Sequence, residues 1–518
     1  MEAIFDPAKD TRIISDYDRI KERFPGKDLV ITRKYVDARH GRLKLVYRLE
    51  ERDRSLEDKI DRDAMPYLDR VSKLKGKGPS PVIIGYGPAG MFAALILARY
   101  GLDPVVIERG KCAEERALDC RSYADGKSSL DPESNIMFGE GGAGTFSDGK
   151  LYTGIRSDLK AFVAKEYVKA GAPSSIVYDS KPHIGTDILR NVVTDIRKET
   201  EALGGKVLFN SVFTKINTRN GAVESVTCSI NGTDTLIPAS CVILAIGHSA
   251  TDTFRSLCSQ GVAMEAKSFS VGVRIEHLRR DIDIAQYGVD TALLPNIGAA
   301  DYKAAVDTAT GRKLYTFCMC PGGRVIASSS IPGHIVTNGM SYNARDLDNS
   351  NSALLVPVTP EDFGAGVFDG LEFREKIERA AFDLAGGNGY APYMTYGELL
   401  EGNTGSPLGK IKPSYRPGVV NADLKEIFPD HITDTLADGI MLIGRKIKGF
   451  DTPDAVLTAP ETGSSSPVRI LRDRESFQSI NCKGLYPAGE GAGYAGGIVS
   501  SAVDGINCAN AYVRSLIN

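Results

Sequence analysis

Residues 81–110 read PVIIGYGPAGMFAALILARYGLDPVVIERG, and this stretch decides the fold. A short apolar run at 81–84 suits a strand buried on both faces. Gly85, Gly87 and Gly90 follow in G-x-G-x-x-G spacing, then an Ala/Leu/Ile-rich helix to about Tyr100 and a second apolar run at 104–107 that ends on Glu108. Gly85 permits the tight turn, Gly87 lets a pyrophosphate approach the backbone, and Gly90 packs helix on strand. Pro88 and Ala89 open the helix, whose free N–H groups and positive dipole end face the phosphates. Glu108 lies about 20 residues beyond the fingerprint, where an acid accepts both ribose hydroxyls of an adenosine. Glycine-rich turns are common in a chain with 54 glycines. Here strand, fingerprint, helix, second strand and acid stand in register, which specifies a dinucleotide site.

Composition narrows the rest. A chain of 518 residues exceeds one core, so two or three domains are expected. A net charge of −3 gives no reason to expect nucleic acid or a membrane surface as partner. No apolar run reaches the roughly 18 residues of a membrane span, and MEAIFDPAKD lacks the basic and apolar regions of a signal peptide. The nine cysteines form no CxxC pair and the six histidines are dispersed. Reduced thiols, a cytoplasmic setting and no metal site are the expectation.

Residues 1–75 are expected to form a small α+β domain, with an amphipathic helix at 10–24 and strands at 29–37 and 43–48 joined by a turn at His40-Gly41-Arg42. Charge is dense at 50–63, and a Lys/Gly/Pro linker at 73–81 leads to the dinucleotide strand. Arg33, Lys34, Arg39, Arg42 and Lys44 read as a solvated sheet face or as an RNA-binding one, with the former favoured because acids follow.

Four glycines within 139–144 exclude a helix or strand interior from MFGEGGAGTFSDGKL, 137–151. Gly141, Gly142, Ala143, Gly144 and Thr145 therefore form a loop whose amides close on a ligand. Phe138, Phe146 and Leu151 suit a surface linker poorly. The loop holds no cysteine, which argues against a redox disulfide beside the ligand. An amphipathic helix at 187–203 precedes strands at 206–209, 212–217, 223–230 and 235–238, with Asn-Gly turns at 220–221 and 231–232. A buried strand at 242–246 ends on Gly247-His248-Ser249, where His248 reads as a strand cap or as a proton donor.

From 261 to 438 the parallel-sheet signals fade and a substrate domain is expected. Residues 269–275 alternate, 314–319 and 324–328 suggest a hairpin around Pro321-Gly322-Gly323, 373–384 a helix, and 386–418 is loop-rich. Cys318 and Cys320 would share one strand face. Disulfides at i, i+2 are strained, so two packed thiols are expected. The run at 439–444 reads as a strand returning to the first domain. The chain then closes on GLYPAGEGAGYAGGIVSSAVDGINCAN, 484–510: a strand at 485–488, an acid at Glu490, a turn at Gly493, Gly496 and Gly497, and a helix at 498–511. An acid-glycine-helix return is what FAD requires and a simple NAD domain does not, since the helix N-terminus points at the flavin edge.

Taken together, RKYVDAR (33–39), GYGPAG with IERG, GEGGAGTFSDGKL, LAIGHSA, FCMCPGGRVI (317–326), TNGMSYNARD (337–346), SSSPVRI (464–470) and AGEGAGYAGGI (488–498) resemble a family of bacterial FAD-dependent dehydrogenases of unassigned substrate, within the glutathione-reductase-like flavoproteins. The resemblance implies FAD contacts at Gly85, Gly87, Gly90, Glu108, Gly142, Thr145, Glu490 and Gly497, with Ile498 at the flavin edge. Pro88, Ala89, Arg109, Gly141, Ala143, Gly144, Val212, Gly247, Gly489 and Gly496 complete the expected cofactor set. The N-terminal domain is short by a strand, and Gly463 stands where an arginine is expected before SSSPVRI.

The expected fold is α/β: a Rossmann-type, glutathione-reductase-like FAD-binding domain (79–260 and 439–518) with an inserted mixed α+β substrate domain (261–438) and the N-terminal α+β domain (1–75). The expected function is an FAD-dependent oxidoreductase acting on a small, anionic substrate, with an external electron donor or acceptor docking transiently. Lys150, Arg345 and Arg469 are the candidate anion-binding or catalytic residues, because clustered cations offer paired donors to a carboxylate or phosphate. Two other readings are a reductase of long, polyprenyl-like substrates and a non-catalytic flavin-binding module whose N-terminal domain recruits protein or RNA.

Overall fold

The computed structural model describes residues 1–71 and 79–517. A five-stranded parallel sheet runs in the order Leu485–Pro487, Val242–Leu244, Val82–Ile84, Val105–Ile107, Lys206–Leu208. Each strand falls within an apolar run expected to be one. The helix Pro88–Arg99 is apolar all round because it has no solvent face: residues 89–98 are all buried, between helices Thr186–Ala202 and Ile498–Ile517. Leu95, Ile96 and Leu97 are fully buried, each contributing about 1.5–3 kcal/mol. The meander Ser211–Arg219, Ala222–Ile230, Thr233–Pro238 turns at Asn220-Gly221 and Asn231-Gly232. All four turn residues have positive φ, as a two-residue hairpin turn of this hand demands.

The second sheet has seven strands, in the order Ala305–Asp307, Lys313–Cys320, Asn349–Val358, Phe269–Leu278, Val456–Glu461, Ala391–Thr395, Val419–Asn421. Here several expectations are corrected. Phe269–Leu278 does not alternate; it is buried on both faces up to His277 because partner strands flank it and helices cover the sheet. The expected hairpin is absent: Lys313–Cys320 pairs with Asn349–Val358, while Gly323–Ala327 pairs with Thr337–Ser341 in a separate sheet. Gly322, at φ 47, turns the chain out of the larger sheet against Arg345. The run at 439–444 is the end of helix Asp430–Gly444, whose buried Ile432, Leu436, Ile440 and Ile443 follow helical spacing. Because Val456–Glu461 sits inside this second sheet, the chain rejoins the first unit after it and not at 439. The stretch at 386–418 also holds the strand Ala391–Thr395 and the helix Tyr396–Glu401, started by a Thr395/Glu398 capping box.

The N-terminal unit is a three-stranded antiparallel sheet, Glu2–Phe5, Lys44–Glu51, Leu29–Asp37. Glu2–Phe5 supplies the strand that the sequence reading lacked. The helix starts later than expected, at Asp16–Arg23, because Ser15 caps it by accepting from the Asp18 amide at 3.1 Å. The charged stretch at 50–63 includes most of helix Arg54–Ala64. The linker expected at 73–81 lies mostly outside the described residues. Tyr47, Leu45 and Leu49 pack on Tyr178, Leu294 and Ile297, and Lys34 extends the contact through its backbone: its N–H donates to Tyr178 O at 2.8 Å and its carbonyl accepts from Ser180 N at 2.9 Å. No helix among the described residues is long and apolar enough to cross a membrane.

Candidate functional site

The three fingerprint glycines do different work. A Cβ on Gly85 would stand 2.4 Å from the Ala245 carbonyl oxygen, and one on Gly90 only 1.9 Å from the Gly85 oxygen. These two glycines let the chain pack on itself. At Gly87, the N-cap of Pro88–Arg99, the nearest atom to such a Cβ is the Gly142 Cα at 3.8 Å, an ordinary contact. Gly87 therefore keeps backbone bare towards a cavity. Opposite it, Gly247, Gly496 and Gly497 have nothing within 4 Å of a Cβ. The cavity between them has a volume of about 640 Å³, within the range of small-molecule and cofactor sites.

Of the expected cofactor residues, Gly85, Gly87, Pro88, Ala89, Glu108, Arg109, Gly142, Ala143 and Gly144 line this cavity from one side. Gly247, Gly489, Glu490, Gly496, Gly497 and Ile498 line it from the other. Gly90, Gly141, Thr145 and Val212 do not. Gly90 is used against Gly85, and a Cβ on Gly141 would strike Thr145 Oγ1 at 2.0 Å. Thr145 is fully buried, its hydroxyl donating to Glu140 O at 3.0 Å. Strand alternation turns Val212 away and presents its neighbours Ser211 and Phe213.

Glu108 is largely occupied by the protein itself. Its carboxylate accepts from the amides of Tyr86 at 2.7 Å, Gly110 at 2.9 Å and Gly139 at 2.9 Å. A carboxylate has about four lone-pair sites, so one acceptor site remains for a ribose hydroxyl where the sequence reading expected two contacts. Arg109 pairs with Asp252 at 2.5 Å and Glu133 at 3.0 Å, with its guanidinium 4.4 Å from the Phe138 ring centroid. His248 also lines the cavity, with Nδ1 3.4 Å from Glu490 Oε1, and its buried Nε2 has no hydrogen-bond partner among the described residues. Gly463 lies against that nitrogen: a Cβ there would stand 3.2 Å from it. Bare backbone at a helix N-terminus, an acid held at the end of the second strand and a glycine turn before Ile498 fit FAD.

The far wall comes from the second sheet and from the end of the glycine loop. Asp148 is buried and accepts from Arg345 at 3.1 and 2.5 Å, with Lys150 Nζ at 3.3 Å. Burial works against its charge, but Lys150 and Arg345 outweigh it and hold the carboxyl well below the ordinary range. Arg274, fully buried, donates to Asn351 at 3.1 Å and to the Cys318 carbonyl at 2.7 Å, and lies 3.5 Å from Glu461. Burial pushes the Glu461 carboxyl up to about 7 against the pull of Arg274. Glu461 and Cys318 both line the cavity. The pair of cysteines does not share a strand face, because the register breaks between Phe317 and Cys320: Cys318 faces the cavity and Cys320 is buried behind it.

Of the three candidate anion-binding residues, Lys150 and Arg345 line the cavity. Arg469 does not: it pairs with Glu265 at 3.0 Å on the small sheet joining Met264–Ala266 to Val468–Ile470. Asp148, Arg274, Cys318 and Glu461 were missed. A charge between apolar neighbours in VGVRI, 271–275, was the available signal for Arg274. Cations and aromatics rim the mouth: Arg33 from the N-terminal unit, Lys181 and Lys303, with exposed Tyr152 and Phe317.

This fold and cavity define an FAD-binding flavoprotein. A family model described as "FAD-dependent protein, C-terminal domain-like" matches residues 268–464, the span of the seven-stranded sheet. An uncharacterized protein of Clostridium beijerinckii is 47% identical over 468 residues, covering 90% of this chain and 85% of its own. The chain belongs to the same family as that protein, a family of FAD-dependent proteins, and its cofactor is FAD. Among solved structures, a geranylgeranyl bacteriochlorophyll reductase-like protein of Thermoplasma acidophilum is 12% identical with a TM-score of 0.38, over 85% of this chain and 79% of that one. A flavoprotein/dehydrogenase of Cytophaga hutchinsonii is 13% identical with a TM-score of 0.35, over 84% and 79%. Likenesses this distant carry no argument about substrate.

Proposed function

We propose that this chain is an FAD-dependent oxidoreductase of the glutathione-reductase-like class whose substrate is a small anionic molecule. One observation carries the reading: a single cavity joins the glycine cradle to Lys150, Arg345, Cys318 and Glu461 of the far wall. FAD supplies the electron chemistry when bound. The chain's own residues bind, orient and move protons. Arg33 and Lys303 offer the substrate positive charge at the mouth, and Lys150 meets it inside. Glu461, a carboxyl that titrates near neutrality, accepts or returns the proton that accompanies electron transfer. In this reading electrons enter from the substrate or from a carrier that docks transiently.

The test is an anaerobic screen of the FAD-loaded protein for bleaching of the flavin absorbance. Carboxylates and phosphates should bleach it, and a small set should do so within the turnover time. Bleaching by neutral polyprenyl-like compounds alone would favour the apolar-substrate reading. Bleaching by a chemical reductant of low potential but by no metabolite would favour a non-catalytic flavin.

A further inference from the structure

We propose that the rim of the cavity binds a nucleoside diphosphate, the handle of a larger substrate whose reacting end reaches Lys150 inside. The inference rests on the anionic-substrate reading, which it deepens by naming the anion, and it is tested by binding alone.

Arg33, Lys181, Lys303, Phe317 and Tyr152 come from separate segments yet line one cavity, and contacts between those segments close them into a ring. Beside Arg33, the Lys34 carbonyl accepts from Ser180 N at 2.9 Å. Lys181 comes next and pairs with Asp301. Lys303 follows, and the carbonyl of its neighbour Ala304 accepts from the amide of Thr316, beside Phe317, at 2.9 Å. From there Cys320 lies 3.5 Å from the Lys150 ammonium, two residues before Tyr152. The circle closes where the Leu151 amide donates to Pro182 O, next to Lys181, at 2.9 Å.

The ring has two unlike arcs. Arg33, Lys181 and Lys303 succeed one another on the first. Asp301 answers Lys181, but among the described residues no carboxylate pairs with the exposed Arg33 or Lys303. The Arg33 guanidinium has only the Tyr35 ring, 5.4 Å from its centroid. Two cations therefore stand free at the opening, and the acid below them, Asp148, is held by Lys150 and Arg345. The second arc is aromatic. Tyr152 is 66% exposed and Phe317 42%, although their neighbours Leu151 and Thr316 are buried. Apolar faces left in water together at the mouth of a cavity mark a contact surface for a ligand.

A ligand that satisfies both arcs carries a flat ring at one end and a multiply charged anion at the other. A small carboxylate would meet the cations and leave both aromatic rings wet. A polyprenyl chain would cover the rings and leave the cations unpaired. A nucleotide does both: its base stacks on aromatic faces, and its phosphate oxygens pair with arginine and lysine. A diphosphate matches two free cations, and the group attached beyond it enters the cavity.

The experiment is calorimetric titration of the FAD-loaded protein with ADP, GDP and UDP, with their nucleosides and with inorganic pyrophosphate, while ultrafiltrates are assayed for released FAD. At least one nucleoside diphosphate should bind at a single site with FAD retained, about tenfold more tightly than pyrophosphate or its own nucleoside. Tyr152→Ala and Phe317→Ala should each weaken that nucleotide about tenfold and leave pyrophosphate unchanged. Lys303→Ala should weaken nucleotide and pyrophosphate alike, several-fold, and the difference should shrink as salt rises. The three side chains are exposed, so the variants should fold. Pyrophosphate binding as tightly as every nucleotide, nucleotide binding only as FAD is released, or an affinity indifferent to both aromatic variants overturns the proposal. So does the lack of any saturable nucleotide binding, and flavin bleaching by small carboxylates would then leave the anionic-substrate reading standing. Nucleotide binding as described, with no anion bleaching the flavin, would overturn that reading and keep the site.

Discussion

At the scale of single residues, the glycines of the fingerprint separate cofactor binding from folding. Gly87→Val adds atoms only towards the cavity, since its nearest protein neighbour is 3.8 Å from the new Cβ. The variant should fold with a near-normal melting temperature and purify colourless. Gly90→Ala, by contrast, drives a Cβ against the Gly85 oxygen and should cost about 1–3 kcal/mol or more of stability. Equal loss of stability in both variants would contradict this division. Glu461 gives a pH signature. Its folded pKa, about 7, is raised above the ordinary 4.5. Its stabilising contribution is therefore full below about pH 4.5 and is lost as pH rises through about 7. Buried His183 and His277, both drawn down to about 4 by burial, act in the opposite sense as pH falls from about 6.5 to about 4. The informative quantity is the difference between proteins: Glu461→Gln should gain stability relative to the unaltered chain between about pH 5 and about pH 7.5. A pH-independent difference in thermal melts would show that the carboxyl is not buried as described.

At the scale of elements, the crossing of helices Pro88–Arg99 and Ile498–Ile517 brings the two chain-distant halves of the FAD site together. Gly505 sets its closeness, because a Cβ there would stand 2.0 Å from the Ala89 oxygen. Gly505→Ala should force the helices apart, at about 1–3 kcal/mol, and weaken FAD retention even though residue 505 does not line the cavity. Unchanged FAD affinity together with an unchanged melting temperature would refute that coupling. These elements were legible because each is locally complete: the strand, turn and helix at 82–99 and the Asn-Gly hairpins carry their own signals. The run GIMLIG was not, since six apolar-rich residues fit a strand or a helix end. Only the wider spacing from Ile432 to Ile443 separates the two. The strand Lys313–Cys320 was found, but its partner was not, because pairing with Asn349–Val358 is set by tertiary packing and not by the nearby turn.

At the scale of the whole molecule, the cofactor half of the site could be read, and of the far wall only Lys150 and Arg345. The cradle is built from contiguous motifs, whereas Asp148, Arg274, Cys318 and Glu461 come from four separate segments that only the completed fold assembles. The same holds for the N-terminal unit, whose basic strand reads as an ordinary solvated face until its docking is seen. Lys34 joins the chain at Tyr178 and Ser180 through two backbone hydrogen bonds, and Arg19 donates to Asn296 at 3.0 Å. That docking carries Arg33 to the cavity mouth, its guanidinium 5.4 Å from the Tyr35 ring centroid. An exposed arginine at a mouth contributes mainly by attracting and orienting charge, an effect that salt screens. Arg33→Ala should therefore raise the KM for an anionic substrate several-fold, on the order of 1 kcal/mol, leaving kcat and FAD content unaltered. The difference from the unaltered enzyme should shrink as ionic strength rises. Steady-state kinetics at two salt concentrations checks this: a salt-independent loss, or a fall in kcat with KM unchanged, would mean that the N-terminal unit does something other than guide charge into the site.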